Sequence, residues 1–250
     1  MGFLNNRGTD LFSARVLTVN GKVTAAQHHC MADAAEKFGN GNLLYTSRLS
    51  VEIQGIPYDK IEEFQEFIAK EGLVTGGTGA KVRPVVSCKG TTCQYGLLDS
   101  YALSEEIYRR FYEGFQDVAL PHKFKIAVGG CPNNCVKPNL NDVGIIGQRI
   151  PKVNSELCKG CKKCAIEAAC PNDVAKVVDG KITIDEMQCR HCGRCVGKCP
   201  FHTIADGIYG YKIYIGGRWG KKISRGKSLS KIFTSKEEAL NVIEKAIYFP

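Results

Sequence analysis

Thirteen cysteines are the residues of this 250-residue chain whose type and spacing point most directly to chemistry. Cys30 stands apart, and the other twelve form three sets of four. The sets are Cys88, Cys93, Cys131 and Cys135; Cys158, Cys161, Cys164 and Cys170; and Cys189, Cys192, Cys195 and Cys199. Four thiolates are the usual ligand set of one [4Fe–4S] cluster, so the pattern predicts three clusters. An odd cysteine total and no apolar signal run near residue 1 argue against a secreted disulfide protein, and we expect a reducing, anaerobic cytoplasm.

Two of the sets are consecutive runs with nearly the same spacing. The run over 189–200 reads Cys-x2-Cys-x2-Cys-x3-Cys-Pro, and the run over 158–171 differs only in having x5 before its last cysteine. Both resemble the runs of two-cluster bacterial ferredoxins, in which the fourth cysteine serves the other cluster. That resemblance implies two ligand sets, Cys158, Cys161, Cys164 and Cys199, and Cys189, Cys192, Cys195 and Cys170. A zinc site is the alternative, but zinc needs two pairs rather than two triplets each followed by Cys-Pro.

Helix and strand patterns frame these cysteines and predict an α+β fold. Asn20-Gly21 predicts the turn of a hairpin over 14–25, and Ser235 with Glu238 predicts a capping box. Helices are expected over 28–39, 57–72, 103–115 and 235–249. Strands are expected over 43–54, 85–88, 123–128 and 210–217. Because strand patterns resume after residue 206, the cysteine-rich stretch 152–206 is interpreted as an insert in a larger domain.

The remaining four cysteines lie within distinctive segments. Three of these segments are Arg83-Pro-Val-Val-Ser-Cys88-Lys-Gly-Thr-Thr-Cys93, Leu120-Pro-His-Lys123-Phe-Lys125 and Cys131-Pro-Asn-Asn-Cys135. A fourth segment, Thr46-Ser47-Arg48-Leu49, precedes them, and GYKIYIGGRWGKK over 210–222 follows the insert. Together they resemble the sirohaem-dependent sulfite and nitrite reductases, most closely the dissimilatory-like or anaerobic sulfite reductase subunits, from about residue 12 to 248. The x4 spacing between Cys88 and Cys93, and Leu49 in place of Gln, depart from the usual family pattern.

The resemblance implies sulfite-reductase-like half-domains with an inserted ferredoxin domain that holds two [4Fe–4S] clusters. The expected ranges are a ferredoxin-like half-domain at 1–78, a sirohaem- and cluster-binding domain at 79–151 and 207–250, and the insert at 152–206. Cys88, Cys93, Cys131 and Cys135 would hold the third cluster. Cys135 would also bridge that cluster to the sirohaem iron.

The resemblance also assigns the basic residues. Arg48, Arg83, Lys123 and Lys125 match substrate-binding positions, where arginine forks onto oxyanion oxygens and lysine is a compact charge that can deliver a proton. Lys123 and Lys125 are two apart, so on a strand they would share one face. Candidate partners of the haem carboxylates are Lys89, Arg218, Lys221, Lys222 and Arg225. Asn133 and Asn134 are candidate hydrogen-bond donors to cluster sulfurs, and Cys30 is expected to pack as a small apolar helix residue.

The composition limits the partners. The formal net charge is +9, with nine Lys or Arg against three Asp or Glu over 208–250. No nucleic-acid-binding module accompanies these residues, and no run of about 18 apolar residues is present, so we expect neither a nucleic-acid partner nor a membrane span. An anionic cofactor and an anionic substrate would account for the basic excess.

The expected function is six-electron reduction of sulfite to sulfide, with electrons entering through the insert from a ferredoxin-like or other redox protein. Nitrite is the alternative substrate. Two other readings stay open, a non-catalytic sirohaem or electron-transfer subunit and a polyferredoxin without haem. Because the chain holds one copy of a unit that larger enzymes of the family carry twice, a homodimer or higher oligomer is expected.

Overall fold

The computed structural model describes residues 2–249, which form two compact units. The first unit comprises residues 2–88, 101–128 and 244–249. The second comprises residues 89–100 and 129–243. Mixed helix and sheet occur in both, in agreement with the predicted α+β class.

An antiparallel sheet in the order β1-β2-β4-β3 organises the first unit. Its strands are β1 (Phe3–Asn5), β2 (Leu11–Val16), β3 (Leu43–Tyr45) and β4 (Val51–Pro57). Helices α1 (Ala25–Phe38) and α2 (Ile61–Ala69) share a core with the sheet, in which Met31, Ile53 and Phe64 are fully buried. Helix α1 begins three residues before its predicted start because Thr24 and Gln27 form a capping box. Cys30 packs against this core, and burial raises the pKa of its thiol, as expected of a structural cysteine.

The prediction of a single strand over 43–54 is wrong at its centre. Thr46 N–H donates to the Ser50 carbonyl at 2.9 Å, and the two side-chain hydroxyls hydrogen-bond at 2.7 Å, which folds 46–50 into a turn between β3 and β4. Leu49 adopts φ 61°, a left-handed conformation that a β-forming pattern does not signal. Its carbonyl accepts a hydrogen bond from the Thr18 hydroxyl, which holds the turn in place.

The rest of the first unit contains a short parallel pair and a helix. Strand β5 (Val86–Ser87) pairs in parallel with β6 (Ile126–Gly129), and α3 (Ser100–Ile107) continues as a π-helical turn over Tyr108–Glu113. The prediction started the second strand at residue 123, three residues too early. Before Ile126 the chain is extended and joined to its neighbour by one bridge, between Val82 and Phe124.

Strand β7 (Val143–Pro151) organises the second unit. It pairs antiparallel with β10 (Gly207–Ile215) over nine residues, and β10 pairs with β11 (Lys227–Phe233). The stretch 152–206 leaves after Pro151 and returns at Gly207, which are register partners. This stretch contains α4 (Ala165–Ala169) and the hairpin β8 (Ala175–Val178) and β9 (Lys181–Ile184), packed around Ile166, Ile182 and Ile204.

Helix α5 (Lys236–Tyr248) closes the order of elements. The Glu238 carboxylate, predicted to cap this helix, is 3.1 Å from Lys231 Nζ. Across residues 2–249, no helix combines the length and apolarity needed to cross a membrane.

The Asn20-Gly21 turn is confirmed, although it closes only one bridged pair, Val19 with Lys22. Both central residues have positive φ, 60° and 69°, as a type I′ turn requires. The buried Asn20 side chain also accepts hydrogen bonds from the Ser87 and Ser104 hydroxyls and donates to the Glu105 carboxylate at 3.2 Å. A residue predicted only as a turn former is thus also a polar link inside the unit.

We expect Asn20→Ala to lower the free energy of unfolding by about 2–3 kcal/mol, because the buried Ser87 hydroxyl loses its acceptor, Ser104 keeps only the Tyr101 carbonyl, and alanine disfavours positive φ. Urea unfolding of the anaerobically purified protein measures this loss. Asn42→Ala, at an exposed asparagine, is the control and should change stability by less than about 0.5 kcal/mol. Equal effects of the two substitutions would contradict the role of Asn20.

Candidate functional site

Four cysteines from the two runs line one cavity in the second unit. They are Cys170 from the first run and Cys189, Cys192 and Cys195 from the second, the set that the ferredoxin resemblance implies. The cavity, with its opening to solvent, has about 350 Å³ of free space, and Pro151 and His191 also line it. In the described part of the chain, no three His, Cys, Asp or Glu side chains converge as ligands of a single metal ion. The four thiols surround a space instead, which is the arrangement that a multi-iron cluster needs.

Two of the thiols around this cavity are disfavoured as thiolates by their surroundings. Burial, together with the nearby Cys189 and Cys192 thiolates, raises the pKa of Cys195 to about 11. Burial also raises the pKa of Cys189. Burial opposes ionisation of Cys170 as well, but N–H groups of the backbone that follows it outweigh burial and lower its pKa. A bound cluster would supply the compensating positive iron, so these residues fit the group.

The other set in this stretch packs against its small apolar core. Cys158 is buried there, Cys164 and Cys199 are partly buried against the same core, and Cys161 is exposed. The Ile182 N–H donates to Cys158 Sγ at 3.3 Å. Burial opposes ionisation of Cys199, but its hydrogen bonds with Thr203 help to lower its pKa. N–H and O–H donors to sulfur are typical of iron–sulfur ligands, so this set also fits a cluster.

Three of the remaining cysteines lie on two loops in contact within the second unit. Cys93 follows a 3₁₀ turn over Gly90–Thr92, and the Leu97 N–H donates to the Gly130 carbonyl at 2.8 Å, next to Cys131. A Cβ added at Gly90 would lie 2.7 Å from the Gly130 Cα, so glycine is required for this approach. Cys135 is exposed. Cys88 ends the contiguous N-terminal stretch of the first unit, where its N–H donates to the Val128 carbonyl at 3.1 Å.

The two asparagines between Cys131 and Cys135 differ in their surroundings. Asn133 is exposed. Asn134 adopts φ 57°, and its amide Nδ2 donates to Asn139 Oδ1 at 2.9 Å. Its own Oδ1 is buried without a hydrogen-bond partner among the described residues. Asn134 therefore shapes the turn that carries Cys131 and Cys135, and its role toward cluster sulfur stays a prediction.

The four basic residues predicted to bind substrate lie on neighbouring segments of the first unit. The parallel bridge of Val82 with Phe124 places Arg83 beside Lys125, and both alternate with buried apolar residues. By the same alternation Lys123 faces the same way, although none of the three lies within a regular strand. Arg48 projects from the 46–50 turn, not from a strand, and donates to the Pro84 carbonyl at 2.6 Å. The fold thus brings the four segments together.

The surroundings of Arg83 were not predicted. Its guanidinium and that of Arg15 both donate to the Gly77 carbonyl, while the Tyr112 hydroxyl accepts from the Gly77 N–H at 3.0 Å. Burial lowers the pKa of Arg83, and the like charge of Arg15 adds to this effect. Arg15 is balanced by Glu52. Two guanidinium groups beside one carboxylate leave an excess positive charge next to the predicted substrate residues.

The predicted partners of the haem carboxylates lie on two stretches of the second unit. Arg218, Lys221, Lys222 and Arg225 are exposed on the loop between β10 and β11, which is closed by hydrogen bonds between Arg218 and Ser224 at 2.8 and 2.9 Å. Lys89 is exposed directly before the 3₁₀ turn that leads to Cys93. Four of the five therefore share the loop that follows the strand predicted over 210–217.

Arg149 is the residue near the cysteines that the sequence analysis missed. Its N–H donates to the His191 carbonyl at 2.7 Å, and it is the bridge partner of Cys192. Its guanidinium reaches Asp206 and stacks over the Tyr209 ring at 5.0 Å. The available signal was a lone charged residue in the stretch 143–151. Through this residue β7 is joined to the loop that carries Cys189, Cys192 and Cys195.

Comparisons with known proteins agree with this architecture. Residues 5–71 match the model of the "Nitrite/Sulfite reductase ferredoxin-like half domain", and residues 78–249 match that of the "Nitrite and sulphite reductase 4Fe-4S domain". The domain ranges that we predict for this chain stay predictions.

Individual relatives carry related names. The chain is 33% identical over 221 residues to a coenzyme F420-dependent sulfite reductase of Methanocaldococcus jannaschii, covering 86% of this chain and 33% of that protein. It is 28% identical to the dissimilatory-type sulfite reductase subunit beta of Nitratidesulfovibrio vulgaris, covering 79% of this chain and 57% of the relative. The chain therefore spans between a third and three fifths of these two relatives. A crystal structure of dissimilatory sulfite reductase I superposes on 94% of the chain and 61% of that protein, with a TM-score of 0.70 at 23% identity, which shows a shared fold.

Gly193 and Gly197 provide a matched test of the Arg149 contact. Both lie in the second cysteine run with similar φ, 69° and 72°. A Cβ at Gly193 would lie 2.8 Å from the Arg149 Cβ, whereas a Cβ at Gly197 would meet nothing within 4 Å. We expect Gly193→Ala to be about 1–3 kcal/mol less stable than Gly197→Ala, because both strain the backbone but only the first overpacks.

Urea unfolding and iron content of the anaerobically purified variants measure the difference. Gly193→Ala should also retain less iron, because the displaced loop carries three of the four cysteines around the cavity. Indistinguishable stabilities and iron contents would show that the Arg149 contact does not hold this loop.

Proposed function

Because the chain belongs to the nitrite and sulfite reductase family, we propose that it catalyses the reduction of sulfite to sulfide with sirohaem and three [4Fe–4S] clusters. The observation that carries the proposal is the grouping of Arg83, Lys123 and Lys125 on one face of neighbouring extended segments, with Arg48 reaching their backbone. A fixed cluster of cations is suited to binding a small oxyanion, because guanidinium and ammonium groups donate charge-assisted hydrogen bonds to its oxygens.

The reaction balances as one hydrogensulfite, six electrons and six protons giving one hydrosulfide and three water molecules. Sirohaem, when bound, would supply the iron centre through which electrons reach the substrate sulfur. The guanidinium groups of Arg48 and Arg83 bind the substrate oxygens, and their charge holds the anion in place. Lys123 and Lys125 donate protons toward the oxygens that leave as water. The carboxylates of the sirohaem would be bound by basic residues of the second unit, namely Lys89, Arg218, Lys221, Lys222 and Arg225.

Twelve cysteines divide among three clusters in this proposal. Cys88, Cys93, Cys131 and Cys135 would hold the third cluster, and Cys135 would be the residue shared with the haem. The clusters of the 152–206 stretch follow the crossed pattern of the ferredoxins. The cavity lined by Cys170, Cys189, Cys192 and Cys195 supports that pattern, because it joins one cysteine of the first run to three of the second.

An assembly of more than one chain is part of the proposal. One relative is itself described as a subunit, and the chain spans only part of the length of both named relatives. A homodimer, or a complex with a related subunit, would provide the second copy of the unit that the larger enzymes of the family contain.

The cofactor content tests this function. We expect about 13 iron atoms per chain after anaerobic purification, from three four-iron clusters and one haem iron, together with the visible absorption bands of sirohaem. About 12 iron atoms without haem bands would identify a polyferredoxin. Full cofactor content without sulfide formation from sulfite under reduced methyl viologen would identify a non-catalytic subunit. A higher kcat/KM for nitrite than for sulfite would show that nitrite is the preferred substrate.

The exposed thiol of Cys135 offers a second prediction. Cys135→Ser should reduce sulfide formation by at least about a hundredfold, because the haem loses its shared sulfur, while the clusters of the 152–206 stretch remain reducible by dithionite. Steady-state sulfide production and electron paramagnetic resonance of the reduced protein measure the two effects. Cys30→Ser, at a half-buried cysteine outside the three sets, is the control. Sulfide formation at the control's rate would exclude the bridging role.

A further inference from the structure

The two cysteine sets of the 152–206 stretch have different surroundings. One set is Cys158, Cys161, Cys164 and Cys199, and its Cys161 is exposed. The second set is Cys170, Cys189, Cys192 and Cys195, whose four thiols line a cavity. If both sets hold clusters, as the proposed function requires, the cluster on Cys158, Cys161, Cys164 and Cys199 is the one with a ligand at the protein surface. Electron transfer between proteins needs close approach of the two redox centres, so this end is the one accessible to a donor.

The second set, by contrast, is connected to the loops that carry Cys93 and Cys131. Cys192 bridges Arg149 of β7, and two residues away on that strand a Cβ at Gly147 would lie 2.5 Å from the Gly130 carbonyl. In addition, the Arg194 guanidinium lies 5.1 Å from the centroid of the Tyr95 ring. The neighbours of Cys195 and Cys192 therefore contact the neighbours of Cys93 and Cys131. This arrangement orders the clusters, with the Cys161 end first and the cavity end second.

The exposed end carries unpaired positive charge. Lys159, Lys162 and Lys163 are exposed around Cys161, and the loop 158–164 contains no acidic residue. Within residues 2–249 none of the three lysines forms an ion pair. The acidic residues that flank the loop are Glu156, two residues before it, and Glu167, three residues after it, and Asp179 lies at the β8–β9 turn. A lysine that only improves solubility does not need a defined position. These three lysines, by contrast, lie on a loop whose backbone is held in place.

The β8–β9 hairpin anchors that loop. Lys181 Nζ donates to the Cys158 carbonyl at 3.0 Å, and the Ile182 N–H donates to Cys158 Sγ at 3.3 Å. Gly160, with φ 61°, packs so closely on the hairpin that a Cβ would lie 2.5 Å from the Gly180 carbonyl oxygen. The loop backbone is thus held in place, while three ammonium groups extend from it into solvent next to a cluster ligand.

We propose that Lys159, Lys162 and Lys163 form the docking surface for a small acidic redox protein of the ferredoxin type, and that electrons enter this chain at the Cys161 end. In each step the reduced donor loses one electron and the cluster on Cys158, Cys161, Cys164 and Cys199 gains it. No bond forms and no proton moves. The electron then passes to the cluster at the cavity end and from there to the cluster held by Cys88, Cys93, Cys131 and Cys135. Charge complementarity supports an acidic partner, since long-range attraction between opposite charges raises association rates by about 10–1000-fold.

Rapid mixing of the holoprotein with a purified acidic two-cluster ferredoxin, photoreduced with a deazaflavin, tests the proposal. The variant is Lys159→Glu/Lys162→Glu/Lys163→Glu. The control is Arg7→Glu/Lys70→Glu/Lys245→Glu, which makes the same change of charge at exposed residues of the other unit. The measured quantity is the second-order rate constant for cluster reduction, followed by absorbance at several ionic strengths.

We expect the first triple variant to lose at least about tenfold in this rate constant at low salt and to lose most of its salt dependence. The control should keep the wild-type behaviour. Reduction by methyl viologen radical cation, which needs no acidic docking, should not be slower in either variant. An unchanged rate constant with ferredoxin, or an equal loss in both triple variants, would overturn the proposal.

If the glutamate variant retains less iron than the wild type, the corresponding Lys→Gln triple variant replaces it and should show a smaller loss in the same direction. The measurement does not need sulfite. Normal ferredoxin-driven cluster reduction without sulfide formation would therefore refute the proposed function alone, and sulfide formation with unaltered ferredoxin kinetics in the lysine variant would refute the docking surface alone.

Discussion

The antiparallel pairing of β7 with β10 is the interaction on which the arrangement of the second unit depends. It runs without a register shift from Val143 with Ile215 to Pro151 with Gly207. The middle of β7 lies beside the loops of Cys93 and Cys131, through Gly147, and two residues further along Arg149 bridges Cys192. Because a paired central strand is rigid, the spacing between these groups of thiols is set by the strand and not by flexible loops.

Much of this molecule could be predicted from its sequence, because the spacing of ligand cysteines reflects the geometry of the cluster that they bind. Helices were predicted over 28–39, 57–72 and 235–249, close to those at 25–38, 61–69 and 236–248, because each has an apolar face and a recognisable end. The grouping of Cys170 with Cys189, Cys192 and Cys195 around one cavity agrees with what the ferredoxin pattern implied. Family membership followed from short motifs, since the matching segments were specific even though each was brief.

The parts that were missed depend on interactions between distant residues. The 46–50 turn interrupts a good strand pattern because Thr18, far along the chain, holds the Leu49 carbonyl in a left-handed turn. Lys123 and Lys125 precede their strand because the chain there makes only the single bridge of Phe124 with Val82. Arg149 gave little local signal, since its importance lies in the backbone bond to His191. Contacts of this kind leave no periodic pattern of apolar residues in the sequence.

The closure of the 152–206 stretch has a consequence for how such a chain is assembled. Its ends, Pro151 and Gly207, are cross-strand partners, and such partners have Cα atoms about 5 Å apart. A two-residue turn would span the same gap and leave the β7–β10 register unchanged. The 55 residues between them are therefore a cassette, which can be inserted, lost or exchanged at one point without re-threading the surrounding sheet. The contacts that Arg149 and Tyr95 make with the stretch would have to be rebuilt around a new electron-accepting module.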